Sequence, residues 1–190
     1  VYFIDKDGGY YLKSSAAGTL AKEAELTRYF HRKGLGTEVL HYSTCANDWL
    51  LTARVRGEDC THEQYLSDPK RLCDTIAAEL RKLHETDFSD CPVQNRMEDY
   101  FALAEKNYHT GNYDTTHFPD SFGYKSAEEA WTVLENGRTA INGKVLLHGD
   151  YCLPNIMLDN WKPGGFIDVG GGGLGAAPGI VIFPEEYGLA

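Results

Sequence analysis

The segment of residues 145–170 constrains the fold of this chain most, because it alternates short apolar runs with polar residues at regular points. Its apolar runs, KVLL, NIML and GGFIDVG, have the length and composition of short β-strands. The tripeptide HGD (148–150) follows the first run, Asn155 is the first residue of the second, and Asp168 lies in the third. The segment therefore predicts a carboxylate and an amide on one loop, facing a second carboxylate at the end of a neighbouring strand.

These polar residues have the chemistry of a phosphoryl-transfer site. Asn155 and Asp168 supply the oxygen ligands that Mg²⁺ prefers, which leaves Asp150 free to accept a proton from an attacking hydroxyl. Catalysis in such sites consists mainly of positioning and charge neutralisation. The alternative is that Gly149–Asp150 and Pro154–Asn155 are only turn residues, as such dipeptides usually are.

Composition argues against several other classes of protein. The 190 residues carry a formal net charge of -10, whereas a nucleic-acid-binding protein needs a basic patch. The apolar runs are only a few residues long, so none of them predicts a membrane span. The five cysteines form no CxxC pair, which predicts neither a disulfide framework nor a zinc ribbon and favours the reducing cytoplasm.

The pattern of apolar residues divides the chain into two parts. Residues 1–56 predict strand, strand, helix, strand and strand, with the helix in TLAKEAELTRYFHRKG and a turn near Ala46–Asp48. Residues 57–190 begin with a polar crossover, and helices are predicted from Pro69, over about 96–109 and in SAEEAWTVLENGR. The predicted fold class is α+β, with a small mixed β-rich lobe and a larger, mainly helical lobe.

The motifs resemble those of the aminoglycoside phosphotransferases, small-molecule kinases with the bilobal protein-kinase fold. The resemblance rests on HGD, four residues, Asn155 and, thirteen residues later, Asp168 of FIDVG. HGDYCLPNIM, GFID and LHETDFSDCP are most similar to the branch that phosphorylates a 3'-hydroxyl. The likeness extends from Val1 to about Gly175. Choline, homoserine and macrolide kinases share HGDxxxxN, so another small-molecule hydroxyl kinase is the alternative.

The resemblance implies roles for the residues that match the family's motifs. Asp150 would orient or deprotonate the accepting hydroxyl, and Asn155 and Asp168 would bind Mg²⁺. Lys13 of YYLKSS would hold the α- and β-phosphates of ATP, paired with Glu23 of the predicted helix.

Two of these expectations have ordinary alternatives. A lysine on a strand is usually solvated, and Glu25 is a rival to Glu23 as its partner. His148 is expected to hold the catalytic loop by hydrogen bonding, because Asp150 already fills the role of the base.

A further set of residues would surround the adenine ring. The backbone of Ala53 and Val55 would face the adenine edge, Tyr11 would stack on the ring, and Met157 and Ile167 would line its other side. Tyr11 also has a plain interpretation, since aromatic residues favour strands. Met157 and Ile167 have one as well, because such residues are more often part of a core.

The loop HTGNYDTTHFPDSFGY separates the last two predicted helices. Its acids Asp114 and Asp120 have the usual interpretation of a solvated surface loop, but the resemblance implies that they contact a polycationic substrate. The glycines 170–175 fit GxGxxG literally, yet too little sequence follows them for a dinucleotide-binding unit, so they predict a loop.

The chain departs from the family at both ends. The family's first strand and its loop over the phosphates would precede Val1, and its Asp-Arg pair and C-terminal helices would follow Gly175. The sequence is therefore expected to be a fragment, and the alternative to an active kinase is an inactive remnant. The implied partners are Mg²⁺, ATP and a cationic small-molecule substrate, without nucleic acid or membrane.

Overall fold

The computed structural model describes residues 1–116, 118, 123–138 and 144–175. A four-stranded antiparallel sheet comes first in the chain, formed by β1 (Tyr2–Ile4), β2 (Tyr10–Ala16), β3 (Val39–Thr44) and β4 (Asn47–Ala53). Its strands lie in the order β1-β2-β4-β3, and helix α1 (Ala21–Arg32) connects β2 to β3.

The remaining described chain combines helices with short strands. The helices are α2 (Glu63–Leu66), α3 (Pro69–Glu85), α4 (Arg96–Thr110) and α5 (Ala127–Gly137). The strands are β5 (Glu58–Asp59), β6 (Val145–Leu147), β7 (Ile156–Asp159), β8 (Lys162–Phe166) and β9 (Gly173–Gly175). Strands β5, β7 and β8 form one sheet, and β6 pairs with β9. This confirms the predicted α+β class. No helix in the described ranges has the length and apolarity needed to cross a membrane.

Helix α1 is held at both ends by features of different kinds. Gly34 follows its last turn with a φ of 70°, a left-handed conformation that glycine adopts without steric cost. At the other end, the buried carboxylate of Asp48 accepts the backbone N–H groups of Gly18 at 2.9 Å and Leu20 at 2.8 Å. Asp48 belongs to β4, so the sheet orients the start of this helix.

Helix α3 begins as its sequence predicts. The Asp68 side chain accepts the Arg71 N–H at 3.1 Å, and Pro69 occupies the first turn, where its missing N–H costs nothing. An apolar stripe at helical spacing in the sequence, formed by Leu72, Ile76, Leu80 and Leu83, faces the core.

One hydrophobic core joins α1 to the strands around the HGD loop. Tyr29 and Phe30 of α1 belong to the same buried cluster as Leu146, Ile156 and Phe166. Burying a side chain of this size stabilises the fold by about 1.5–3 kcal/mol. The core therefore fixes α1 against the strands that carry the predicted catalytic residues.

Two local predictions were wrong. The turn between β3 and β4 lies at Cys45–Ala46, not near Ala46–Asp48, because Asp48 is buried in β4, where it accepts the N–H groups of Gly18 and Leu20. The polar crossover is present and contains β5 and α2.

The second error concerns residues 173–175, which form β9 instead of a loop. The contacts explain why glycines flank Leu174 in this strand: a Cβ atom at Gly173 would lie 2.6 Å from Val93 Cγ1, and one at Gly175 would overlap Leu147. Glycine at these two positions therefore lets β9 pack closely against Val93 and β6.

Candidate active site

The HGD loop turns sharply at the end of β6. Gly149 has a φ of 90°, which favours glycine, and a Cβ atom there would overlap the backbone of Gly171. The turn thus brings the backbone before Asp150 against the loop that follows Asp168.

Asn155 holds the carboxylate of Asp150. Its Nδ2 donates to Asp150 Oδ2 at 2.8 Å and to the Asp150 carbonyl at 3.1 Å. A short 3₁₀ turn, Leu153–Asn155, places this buried amide beneath the loop. Asn155 thereby orients one carboxylate oxygen of Asp150, and the Cys152 side chain also hydrogen-bonds to Asp150.

His148 is buried among aromatic rings and supports the loop from below. Its Nδ1 accepts the backbone N–H of Asp150 at 3.2 Å. The rings around it, at centroid distances of 5.4–6.3 Å, are those of Phe30, Tyr151 and Phe166. Burial lowers the pKa of His148 to about 4, so the imidazole is neutral at pH 7. This geometry agrees with the expected structural role.

Asp168 lies two residues after the end of β8 and has an unusual backbone conformation. Its φ of 56° and ψ of 43° lie in the left-handed region, which non-glycine residues rarely occupy and which concentrates at functional sites. The adjacent Ile167 donates its N–H to the Asn155 carbonyl at 3.1 Å. The backbones of the two predicted Mg²⁺ ligands are therefore held side by side.

Lys13 lies between two carboxylates. Its Nζ is 2.7 Å from Glu23 Oε1 and also donates to Asp168 Oδ1. Burial by itself lowers the pKa of Lys13, but the hydrogen bonds to Asp168 and Glu23 outweigh it and the pKa is raised, so the ammonium stays charged. Glu23, not the exposed Glu25, is the partner.

The donor set fits a magnesium ion that binds together with a nucleotide. Since Nδ2 of Asn155 is engaged by Asp150, the Asn155 Oδ1 is the atom that could bind a cation, and the Asp168 carboxylate would be the second ligand. No group of three or more His, Cys, Asp or Glu side chains in the described residues could hold a metal alone. Mg²⁺ characteristically takes one or two protein carboxylates and completes its shell with substrate phosphates.

The predicted adenine contacts lie on different elements. Tyr11 is 40% exposed and shares a face of β2 with Lys13, two residues further on. Its ring lies 5.2 Å from that of Phe3. Met157 on β7 and Ile167 after β8 are half-buried. These positions leave the stacking role of Tyr11 as a prediction.

The two residues predicted at the adenine edge, Ala53 and Val55, differ in whether their backbone groups are already hydrogen-bonded. The Ala53 N–H donates to the Glu38 carbonyl at 3.0 Å, and the Ala53 carbonyl accepts the Thr37 hydroxyl. Val55 lies beyond the end of β4, and its N–H makes no backbone hydrogen bond within the described residues. Val55 is therefore the better placed of the two to donate to an adenine ring.

The predicted substrate acids belong to the connection between α4 and α5. Asp114 is exposed, and its Oδ1 accepts the Thr116 N–H at 2.8 Å, the geometry of an Asx turn. Asp120 lies outside the described residues. A substrate-binding role for either acid stays a prediction.

The sequence analysis missed two side chains of α4 that contact the site. Arg96 and Tyr100 both donate to the Gly171 carbonyl. They are separated from it by 75 and 71 residues, and no local pattern signals such a contact.

Comparison with known proteins gives consistent relatives. Residues 1–177 match the phosphotransferase enzyme family. A probable aminoglycoside 3'-phosphotransferase of Lactococcus lactis is 46% identical over 176 residues, covering 92% of this chain and 67% of the relative. An aminoglycoside 3'-phosphotransferase of Niallia circulans is 30% identical over 67% of this chain and 48% of the relative. The chain thus spans between about half and two thirds of these relatives.

Solved structures agree on the fold. An aminoglycoside-3'-phosphotransferase of type VIII superposes with a TM-score of 0.74 at 24% identity, covering 88% of this chain and 65% of that one. An aminoglycoside phosphotransferase of Streptomyces rimosus, solved with ADP and streptomycin, superposes with a TM-score of 0.72 at 25% identity, covering 87% and 66%. With a family match along nearly its whole length, the chain belongs to the phosphotransferase enzyme family.

Proposed function

We propose that this protein transfers the γ-phosphoryl group of ATP to a hydroxyl of an aminoglycoside, at the 3' position. The observation that carries the proposal is the pairing of Asp150 with Asn155, next to the contact of Lys13 with Glu23 and Asp168. The relatives named as aminoglycoside 3'-phosphotransferases support the substrate class.

Each residue has a defined task in this reaction. Lys13, held by Glu23, binds the α- and β-phosphates. Asn155 and Asp168 would hold Mg²⁺, and the bound ion would supply charge neutralisation for the phosphates. Asp150 orients the acceptor hydroxyl and takes its proton, while Asn155 prevents the carboxylate from rotating.

The substrate side of the proposal rests on charge. The chain has a net charge of -10, and aminoglycosides are cationic, so attraction favours their approach. Asp114 and Asp120 are proposed to contact the amino groups of the substrate.

We also propose a boundary between the two lobes at residues 56 and 57. A cytoplasmic location is proposed as well, because ATP is present there and because the five free cysteines suit a reducing compartment.

The reaction is tested with the protein expressed from its complete reading frame. It is incubated with Mg-ATP and an aminoglycoside that has a free 3'-hydroxyl, and the position of the phosphate is determined by phosphorus NMR. The matched control is the 3'-deoxy form of the same aminoglycoside. A 3'-phosphate on the first compound alone supports the proposal, and phosphorylation of both compounds at another position contradicts the 3' assignment.

Another hydroxyl kinase is the alternative, because choline, homoserine and macrolide kinases share the HGDxxxxN motif. The same assay with those three acceptors separates the candidates. Transfer to one of them and not to the aminoglycoside would replace the proposed substrate.

The nucleotide site has its own test at Val55. Val55→Pro removes the only backbone hydrogen that this residue can donate to adenine. We expect ATP affinity to fall by about tenfold, the loss of roughly one hydrogen bond of about 1.4 kcal/mol. Val55→Ala is the matched control, since it removes most of the side chain but keeps the N–H. Equal affinities in both variants would place the adenine elsewhere.

A further inference from the structure

Helix α4 contacts the two loops that carry the chemistry through a pair of adjacent side chains. The Nε of Arg96 donates to the Gly171 carbonyl at 2.6 Å. The Tyr100 hydroxyl donates to the same oxygen at 2.8 Å and lies 3.3 Å from the Gly149 carbonyl. Two donors on one helix therefore meet one carbonyl, with a second carbonyl beside it.

The hydrogen-bond capacity of these groups explains the geometry. A carbonyl oxygen has two lone pairs, so Gly171 accepts from both Arg96 and Tyr100, and its capacity is filled. The tyrosine hydroxyl has a single proton, which goes to the nearer Gly171 oxygen and is only shared with Gly149. The guanidinium of Arg96 also lies 4.5 Å above the Tyr100 ring, so each side chain restrains the other.

The two carbonyls belong to loops whose backbones are in direct contact. Gly149 immediately precedes Asp150, and Gly171 lies three residues after Asp168. A Cβ atom on Gly171 would lie 3.1 Å from the Gly149 oxygen, which is tighter than an ordinary contact. The relative position of Asp150 and Asp168 therefore depends on how closely these glycines approach.

The same network reaches the helix that bears Glu23. Arg96 pairs with Asp99 at 3.2 Å, and Asp99 pairs with Lys22 of α1 at 2.8 Å. A Cβ atom at Gly170 would lie 3.1 Å from the Cβ of Glu23. Helix α4 thus contacts the loop before Asp150 and the loop after Asp168, and through Asp99 it is connected to helix α1, which carries Glu23.

We propose that Tyr100 and Arg96 are positioning residues, which set the distance between the base Asp150 and the metal ligand Asp168 by holding the Gly149 and Gly171 carbonyls together. The inference rests on the proposed phosphoryl transfer. Its physical basis is that a displacement of reacting groups by about 1 Å costs on the order of 10²-fold in rate.

The test uses Tyr100→Phe, which removes only the hydroxyl, and Arg96→Lys, which keeps the charge but loses Nε. The matched control is Tyr29→Phe, because the buried Tyr29 hydroxyl has no hydrogen-bond partner within the described residues. For Tyr100→Phe and Arg96→Lys we expect kcat to fall by about tenfold to a hundredfold. KM for ATP should change by less than about threefold, since the phosphates are held mainly by Lys13. Tyr29→Phe should behave as wild type.

A second measurement is independent of activity. Hydrogen exchange of the full-length protein should become faster in Tyr100→Phe, in both the peptide around Gly149 and the peptide around Gly171, and not in Tyr29→Phe. A change in neither loop or in one loop alone, or an unchanged kcat, overturns the positioning role. If the wild-type protein transfers no phosphate, the proposed function is refuted instead. If, in addition, Tyr100→Phe leaves the hydrogen exchange of both loops unchanged, both proposals are refuted.

Discussion

The catalytic segment, residues 144–175, and the helical region α4–α5, residues 96–138, are stabilised in different ways. In the catalytic segment, Leu146, Ile156 and Phe166 are buried, and the chemical groups are hydrogen-bonded to one another. In the helical region, none of the residues of α5, all of which are described, is buried. Leu103 and Val133 there are 53% and 49% exposed.

The helical region relies on aromatic stacking more than on a core. The ring of Tyr108 lies 5.1 Å from that of Trp131, with an angle of 9° between the planes. Such a pair contributes about 0.5–1.5 kcal/mol beyond the burial of its area. The difference between the two regions indicates that the side chains of the catalytic segment are preorganised by packing and hydrogen bonds. Residues of the helical region that do not contact the catalytic segment have fewer internal constraints, so changes there should have smaller effects.

The largest effect is expected at Asp150, the proposed general base in the catalytic segment. Asp150→Asn removes the proton acceptor but keeps the shape of the side chain, so turnover should fall by about 10²–10⁴-fold. Nucleotide affinity should stay within a factor of about two, because Asp150 does not contact Lys13 or Asp168 in the structure. Steady-state kinetics and ATP titration measure the two quantities, and near-normal turnover would remove Asp150 from the mechanism.

Two glycine substitutions compare the regions directly. Gly149→Ala combines a left-handed conformation with overlap against Gly171, and should lower the free energy of unfolding by about 2–5 kcal/mol. Gly111, the cap of α4, has a φ of 68° and nothing within 4 Å of an added Cβ, so Gly111→Ala should cost only about 1–2 kcal/mol. Urea unfolding measures both, and equal losses would mean that the catalytic segment is not tightly packed.

The buried imidazole of the catalytic segment predicts a dependence of stability on pH. Burial lowers the pKa of His148 from 6.5 to about 4, although the charges of Asp150 and Asp168 oppose this shift. Between these two pH values the unfolded chain binds a proton that the folded chain does not. The free energy of unfolding should therefore fall by up to about 3 kcal/mol as the pH is lowered from 6.5 to 4.

His148→Gln isolates this contribution. The variant is less stable at pH 7, but its stability should depend less on pH across the same interval. Thermal or urea unfolding at several pH values gives the slope of the free energy of unfolding against pH for each protein. Equal slopes would show that His148 takes up a proton in the folded protein as readily as in the unfolded chain.

The smallest effect is expected in the helical region. Asp114→Asn removes one exposed charge from an Asx turn, and exposed ion pairs contribute about 0.2–1 kcal/mol. KM for the aminoglycoside should therefore rise by up to about fivefold with kcat unchanged, and the rise should shrink at high salt. A loss of kcat comparable with that of Asp150→Asn would mean that this region is as preorganised as the catalytic segment.

Sequence alone determined the elements whose signal is local. The HGD loop, Asn155 and Asp168 could be identified because short apolar runs separate them at a recognisable spacing. Helix α3 could be predicted from Pro69 and from an apolar stripe at helical spacing, but the sequence left both Ser67 and Asp68 open as its cap, and the structure assigns Asp68. Lys13 of β2 was predicted to have an acidic partner, and the structure shows one. The spacing of residues in the helix could not decide whether that partner is Glu23 or Glu25.

Tertiary structure alone decided which distant groups meet. Asp48 accepts the Leu20 N–H at the start of α1 across 28 residues, and Tyr100 reaches the Gly149 carbonyl across 49. Glu38 and Thr37 occupy the Ala53 backbone groups. Each of these bonds exists because packing brings together two chain segments that are distant in the sequence. Their partners carry no periodic or spacing signal, and the closure of β9 onto β6 depends on glycines whose purpose is evident only from the atoms that they approach.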